Sequence, residues 1–168
     1  MFSRIYVKPL NNFNISLQTK EIPPLHILFA DDDSDESYLF NEALEHSGVD
    51  VELSYANDGN SLLSFLKTNP LPDLVIIDIN MPHKDGLEAL AEIRSYPEFL
   101  TLPLIIYSTT TNAKIIEASY QKGASLFVVK PNNFDGMVQV VKKIISIDWK
   151  NNGKAAREQF VIKEDDSL

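Results

Sequence analysis

Leu74-Val75-Ile76-Ile77-Asp78-Ile79-Asn80-Met81-Pro82 joins four consecutive branched apolar residues to an aspartate and then to a loop. A short, unbroken apolar run reads as a strand buried on both faces, the kind found inside parallel sheets. Strands are depleted in aspartate, so propensity explains Asp78 poorly. On this residue alone two readings stand: a cap for the loop that Asp85-Gly86 closes, or a carboxylate placed at a strand end for chemistry.

Similar runs lie on either side. Leu104–Tyr107 and Leu126–Val129 follow, and His26–Ala30 precedes. Val51–Ala56 alternates apolar with polar residues, as a half-exposed edge strand does. Between the strands the period becomes helical. Phe40, Ala43 and Leu44 share a face before Gly48, and Leu62, Leu63, Phe65 and Leu66 follow a cap expected at Asn60. Leu87, Leu90, Ala91 and Ile93 form a third stripe, and a fourth helix is expected between Asn112 and Gly123. Met137, Val140, Val141, Ile144 and Ile145 form the last. Five βα units in succession imply an α/β fold: a doubly wound five-stranded parallel sheet with helices on both faces. A peripheral second strand favours the order 2-1-3-4-5, in which the functional crevice lies beyond the carboxyl ends of the strands.

With 168 residues, the chain accommodates one domain with a proper core. The receiving unit is expected at residues 23–149, with an N-terminal extension at 1–22 and a polar C-terminal tail at 150–168. There is no cysteine, which excludes disulfides and thiolate chemistry and fits a cytoplasmic location. No apolar run approaches the roughly 20 residues of a membrane span, and residues 1–20 do not read as a secretory signal. The net charge is −9; Arg4, Lys8 and Lys20 place +3 in the first twenty residues, so the remainder carries −12 and should repel nucleic acid.

The other strand ends are as unusual as Asp78. Asp31-Asp32-Asp33-Ser34-Asp35-Glu36 follows the first strand. Carboxylates at a helix N-terminus account for Asp35 and Glu36, but the remaining like charges call for a cation, and oxygen ligands suit Mg²⁺. Ser108-Thr109-Thr110 ends the fourth strand with hydroxyls and Lys130-Pro131 ends the fifth with an ammonium group. His26, His46 and His83 are too scattered for a metal site, and Trp149 reads as an anchor for the last helix.

An acidic pair after the first strand, aspartate after the third, hydroxyl after the fourth and Lys-Pro after the fifth resemble the receiver domain of two-component response regulators, a flavodoxin-like fold. The match spans about residues 26–147 and is similar to stand-alone, chemotaxis-regulator-like receivers. The resemblance implies that Asp78 accepts a phosphoryl group from a histidine kinase or histidine phosphotransfer protein. Asp31, Asp32, Asp78 and the Asn80 carbonyl would hold Mg²⁺, with Asp32 as direct ligand and Asp31 acting mainly through water. Ser108 and the Thr109 N–H would bind phosphoryl oxygens, and Lys130 would neutralise charge. Asn80 and Thr110 would tune acyl phosphate lifetime, and Lys130-Pro131 would be a cis peptide. Phe127 matches the switch aromatic without its hydroxyl and would turn inward when Ser108 moves. The chain would self-dephosphorylate rather than turn over a substrate, and would signal to an output protein, or to a second copy, through the face of helix four, strand five and helix five.

Three other functions compete. An aspartate-nucleophile phosphatase of the haloacid dehalogenase type would carry its nucleophile after the first strand and a second aspartate where Asn80 stands. A DNA-binding regulator lacks space after the last helix. A phosphorylation-independent binding module of the same fold would not need the complete acceptor set.

Overall fold

The computed structural model describes residues 5–7, 17–19, 23–149, 155–164 and 166. β1 (Ile5–Val7) and β2 (Leu17–Thr19) pair antiparallel as a small sheet of their own. The rest of the N-terminal extension, like residues 150–154, lies outside the described residues.

The main sheet is built from β3 (Leu25–Ala30), β4 (Val51–Ala56), β5 (Leu74–Asp78), β6 (Leu104–Ser108), β7 (Leu126–Val129) and β8 (Val161–Ile162). Its order is β4-β3-β5-β6-β7-β8, all parallel, so the five expected strands stand in the expected order. β4 is the half-exposed edge that its alternating sequence predicts. The central strands β5 and β6 are buried along their whole length, which is why they read as unbroken apolar runs.

Successive side chains of β5 go to opposite faces. Leu74 and Ile76 pack with Phe40 of α1 (Ser34–Glu45) and Val140 of α5 (Phe134–Ser146). Val75 and Ile77 pack with Leu62 of α2 (Gly59–Thr68) and Leu90 of α3 (Gly86–Arg94), in a layer completed by Ile115 of α4 (Ala113–Gln121). Helices thus cover both faces. Gly48 and Gly123 take φ values of +73° and +93° at the ends of α1 and α4, where a side chain would be strained. No helix among the described residues is long and apolar enough to cross a membrane.

Three local expectations need correction. α2 is capped by Asp58 rather than Asn60: the Asp58 carboxylate accepts the backbone N–H of Ser61 and starts the helix two residues earlier, at Gly59. No described peptide bond is cis, so Lys130–Pro131 is trans, the form an X–Pro bond favours by about 0.5–1 kcal/mol. Residues 155–162, expected within a polar tail, instead pack on the receiving unit. Phe160-Val161-Ile162 provides enough apolar surface among its charged neighbours to add a sixth strand beside β7.

Candidate functional site

Four strand ends bring the unusual residues together. β3 runs into Asp31, which is buried at 6% exposure, and β5 delivers Asp78 at 4%. β6 ends in Ser108 and β7 runs into Lys130, both buried as well. The Lys130 ammonium lies 2.9 Å from Asp31 Oδ2, 2.9 Å from Asp78 Oδ1 and 3.1 Å from Glu36 Oε2. Lys130 also stands 5.1 Å from the ring centre of Tyr107, whose electron-rich face favours a cation.

The backbone fixes these groups from behind. Asp33 turns its carboxylate onto the N–H groups of Asp35 and Glu36 and so caps α1, while its own N–H donates to Asp31 Oδ1. Asp31 is therefore held between Lys130 and the loop. The second oxygen of Asp78, Oδ2, accepts the backbone N–H of Asn80. The loop then doubles back, with Gly86 N–H donating to Ile79 O at 2.9 Å. Gly86 has no alternative in this position, since a Cβ there would lie 2.1 Å from the carbonyl oxygen of Asp78. Lys130 N–H donates to Ser108 O at 2.9 Å, and Ser108 Oγ accepts the Thr110 N–H at 3.3 Å. β6 and β7 thus present their ends as one unit.

Electrostatics follow from burial. Desolvation raises the Asp31 carboxyl above its ordinary range and outweighs the lowering by hydrogen bonds from Lys130 and Asp33. Desolvation alone would lower Lys130, but its bonds to Asp78 and Asp31 win and hold it protonated well above the usual lysine value. Burial, then the charge of Glu36, raises the Tyr107 phenol, whose hydroxyl is buried without a partner among the described residues. The ring of Tyr107 packs with Phe29 and Phe40, with centroids 6.1 and 5.8 Å away, so it serves as apolar floor.

Asp32, Asn80 and Thr109 are exposed at the rim. Among the described residues no three carboxylate or imidazole groups form a ready-made metal cage, because the ammonium of Lys130 stands between Asp31 and Asp78. The charge balance nonetheless suits a divalent cation: Asp31, Asp78 and Glu36 face a single ammonium, and all offer hard oxygen donors. Glu36 is the functional neighbour that sequence reasoning assigned only to the helix terminus. A carboxylate in the first turn of a helix has a sufficient local reason to be there, so nothing in the sequence marks it as a partner of Lys130.

Phe127 is fully buried, with Phe160 at 6.5 Å between ring centres. It therefore stands in a covered position, with Phe160 packed beside it.

A parallel sheet thus gathers two buried aspartates, a hydroxyl and a lysine at its carboxyl edge, and comparison with known proteins shows the family to which this arrangement belongs. The chain belongs to the response regulator receiver domain family, whose model matches residues 27–142. Response regulator Rcp1 of Synechocystis sp. is 33% identical over 130 residues, which cover 74% of this chain and 88% of that protein. The crystal structure of the phosphorylated cyanobacterial phytochrome response regulator RcpA superposes with a TM-score of 0.68 at 32% identity, covering 73% of this chain and 91% of that one. The Mn²⁺-bound form of Rcp1 gives a TM-score of 0.69 at 31% identity, covering 79% and 100%.

Proposed function

We propose that the chain accepts a phosphoryl group on Asp78 from the phosphohistidine of a kinase or phosphotransfer protein. The observation that supports this most is the single ammonium of Lys130 joining Asp31 and Asp78 at 2.9 Å each, in a crevice open at Asp32 and Asn80. A carboxylate oxygen of Asp78 attacks phosphorus, the P–N bond breaks, and the imidazole keeps the electron pair and takes up a proton. The product is an acyl phosphate. Lys130 turns to the phosphoryl oxygens, the Ser108 hydroxyl and Thr109 N–H donate to them, and the Asn80 N–H fixes the attacking carboxylate.

Asp31, Asp32, Asp78 and the Asn80 carbonyl would hold Mg²⁺, which supplies charge neutralisation for the phosphoryl oxygens when bound. Asp31 already serves Lys130 and Asp33, which leaves Asp32 as the freer ligand. The acyl phosphate is lost by intrinsic hydrolysis, with Asn80 and Thr110 at the rim setting its lifetime. Ser108 and Phe127 transmit the change to the surface made by α4, β7 and α5, where an output partner binds.

Incubation with acetyl phosphate and Mg²⁺ should add one phosphate by intact mass, and Asp78→Asn should remove it. Equal labelling of that variant would overturn the assignment, and no labelling of the unaltered chain would favour a phosphorylation-independent binding module.

A further inference from the structure

We propose that the edge of β7, framed by α4 and α5, is a docking groove for a short peptide segment, that residues 155–164 fill it, and that this docking and phosphorylation of Asp78 oppose each other. The coupling rests on the function proposed above; the docking does not.

The groove is built for its occupant on three sides. Along the strand edge, Ala155 N–H donates to Ser125 O at 3.0 Å and Phe127 N–H donates to Phe160 O at 2.8 Å. Val161 and Ile162 then lie opposite Phe127 and Val128. Main-chain pairing of this kind gives affinity, while side-chain pockets select the peptide. On the α4 side, Phe160 is fully buried with its ring edge-on to Tyr120, 4.9 Å between centres. Arg157 lies over the same Tyr120 ring at 5.2 Å and pairs with Glu117.

The α5 side supplies the least expected feature. Lys143 is buried, and its ammonium donates to the carbonyls of Lys163 and Glu164 at 2.9 Å each. The docked segment thus supplies the carbonyls that stand in for water around that ammonium. An aromatic residue that ends a short helical turn, followed by two branched apolar residues in strand conformation, is what the groove selects.

The opposition arises at one contact. Phe127 sits three residues before Lys130 and pairs with Ile106, one turn of the pleat before Ser108. Both Phe127 and Phe160 are fully enclosed, and packed interiors yield by discrete rearrangement rather than gradual deformation. Once Ser108 and Lys130 turn to a phosphoryl group and Phe127 turns inward, Phe127 withdraws from its contact with Phe160, and the docked segment loses part of the packing that holds it. Linkage requires the converse: a docked segment must weaken the phosphorylated form. The segment therefore shields the output face until Asp78 is modified, and any external partner must present a comparable strand.

The test is hydrogen exchange on the full chain, with and without Mg²⁺ and beryllium fluoride, with amide NMR at Asp78 reporting loading separately. Exchange of residues 155–164 should quicken by about fivefold or more on loading. In Phe160→Ser it should be fast already and insensitive to loading, and beryllium fluoride should bind several-fold tighter. Arg157→Ser, altered only at the surface, should shift both readings in the same direction by less. Unchanged protection in a loaded chain would overturn the coupling. Equal protection in Phe160→Ser would overturn the docking even if Asp78 never loads. Protection that rises with protein concentration, with a dimer by sedimentation, would show that a second copy donates the segment and would overturn its assignment to the same chain.

Discussion

Lys130 Nζ lies 2.9 Å from Asp78 Oδ1 and, at the same distance, from Asp31 Oδ2, so one ammonium bridges two buried carboxylates that would otherwise repel. Glu36 adds a third negative charge at 3.1 Å. Lys130 therefore performs, in the unphosphorylated chain, part of the neutralisation that a metal ion would share.

Replacing it should separate stability from metal binding. Lys130→Met removes the cation and leaves three carboxylates facing each other, and breaking a buried pair in this way costs about 3–5 kcal/mol. Denaturant unfolding without divalent cations should show a loss of that order. Mg²⁺ should restore most of it and should bind more tightly than in the unaltered chain, because no ammonium competes for the same oxygens. Equal stability of the two proteins in the absence of metal would show that Lys130 is not the keystone of the site.

Much of this arrangement was legible in the sequence because strand ends are marked twice, by an apolar run and by the polar residue that stops it. Asp78, Ser108 and Lys130 each terminate such a run, and parallel topology then forces them onto one edge. Glu36 was not legible as a partner of Lys130, since a carboxylate in the first turn of a helix already has a sufficient local reason to be there. Phe160 was hidden differently. Three apolar residues between Gln159 and Lys163 are too few to show a period, and only a neighbouring strand with an open edge gives them a structure. The trans Lys130–Pro131 bond corrects an expectation carried over from the family, which the residues themselves did not dictate.

Metal affinity should depend on Asp32 more than on Asp31. The Asp31 carboxylate is engaged by Lys130 on one oxygen and by the Asp33 N–H on the other, whereas Asp32 stands exposed at the rim. A direct ligand contributes more than a group acting through water. Titration with Mg²⁺ should show Asp32→Asn weakened by tenfold or more, on the order of 1.4 kcal/mol, and Asp31→Asn weakened less. Unchanged affinity in Asp32→Asn would place the ion elsewhere.

Gly86 tests whether the loop behind the acceptor matters to it. The carbonyl oxygen of Asp78 occupies the space a Cβ would need, with 2.1 Å between them, so Gly86→Ala must push backbone against backbone. Overpacking of this kind costs about 1–3 kcal/mol. The displaced strand end should also slow phosphoryl acceptance from acetyl phosphate, while α1 and α5 on the opposite face keep their amide NMR shifts. Acceptance at the original rate in a destabilised protein would show that the acceptor geometry does not depend on this contact.

Ser108 is where occupancy of Asp78 should become a change of surface. Its Oγ accepts only a long bond from the Thr110 N–H, 3.3 Å, in the present structure, so little holds the hydroxyl back from a better acceptor. A phosphoryl group brings roughly −1.5 to −2 charge at pH 7 and draws donors toward it. Ser108 can swing to it and carry the Thr109–Thr110 loop along, while β7 follows through the bond from Lys130 N–H to Ser108 O. Phe127 has no hydroxyl, so packing rather than a new hydrogen bond must carry the signal onward, against Phe160. Ser108→Ala keeps Asp78, Lys130, Asp31 and Asp32 and should still accept phosphate by intact mass. It lacks the group that moves. Amide shifts over residues 112–147 on adding beryllium fluoride should therefore be large in the unaltered chain and several-fold smaller in the variant, a coupling loss of about 1–3 kcal/mol. Equally large shifts in both proteins would show that the signal leaves the site by another route.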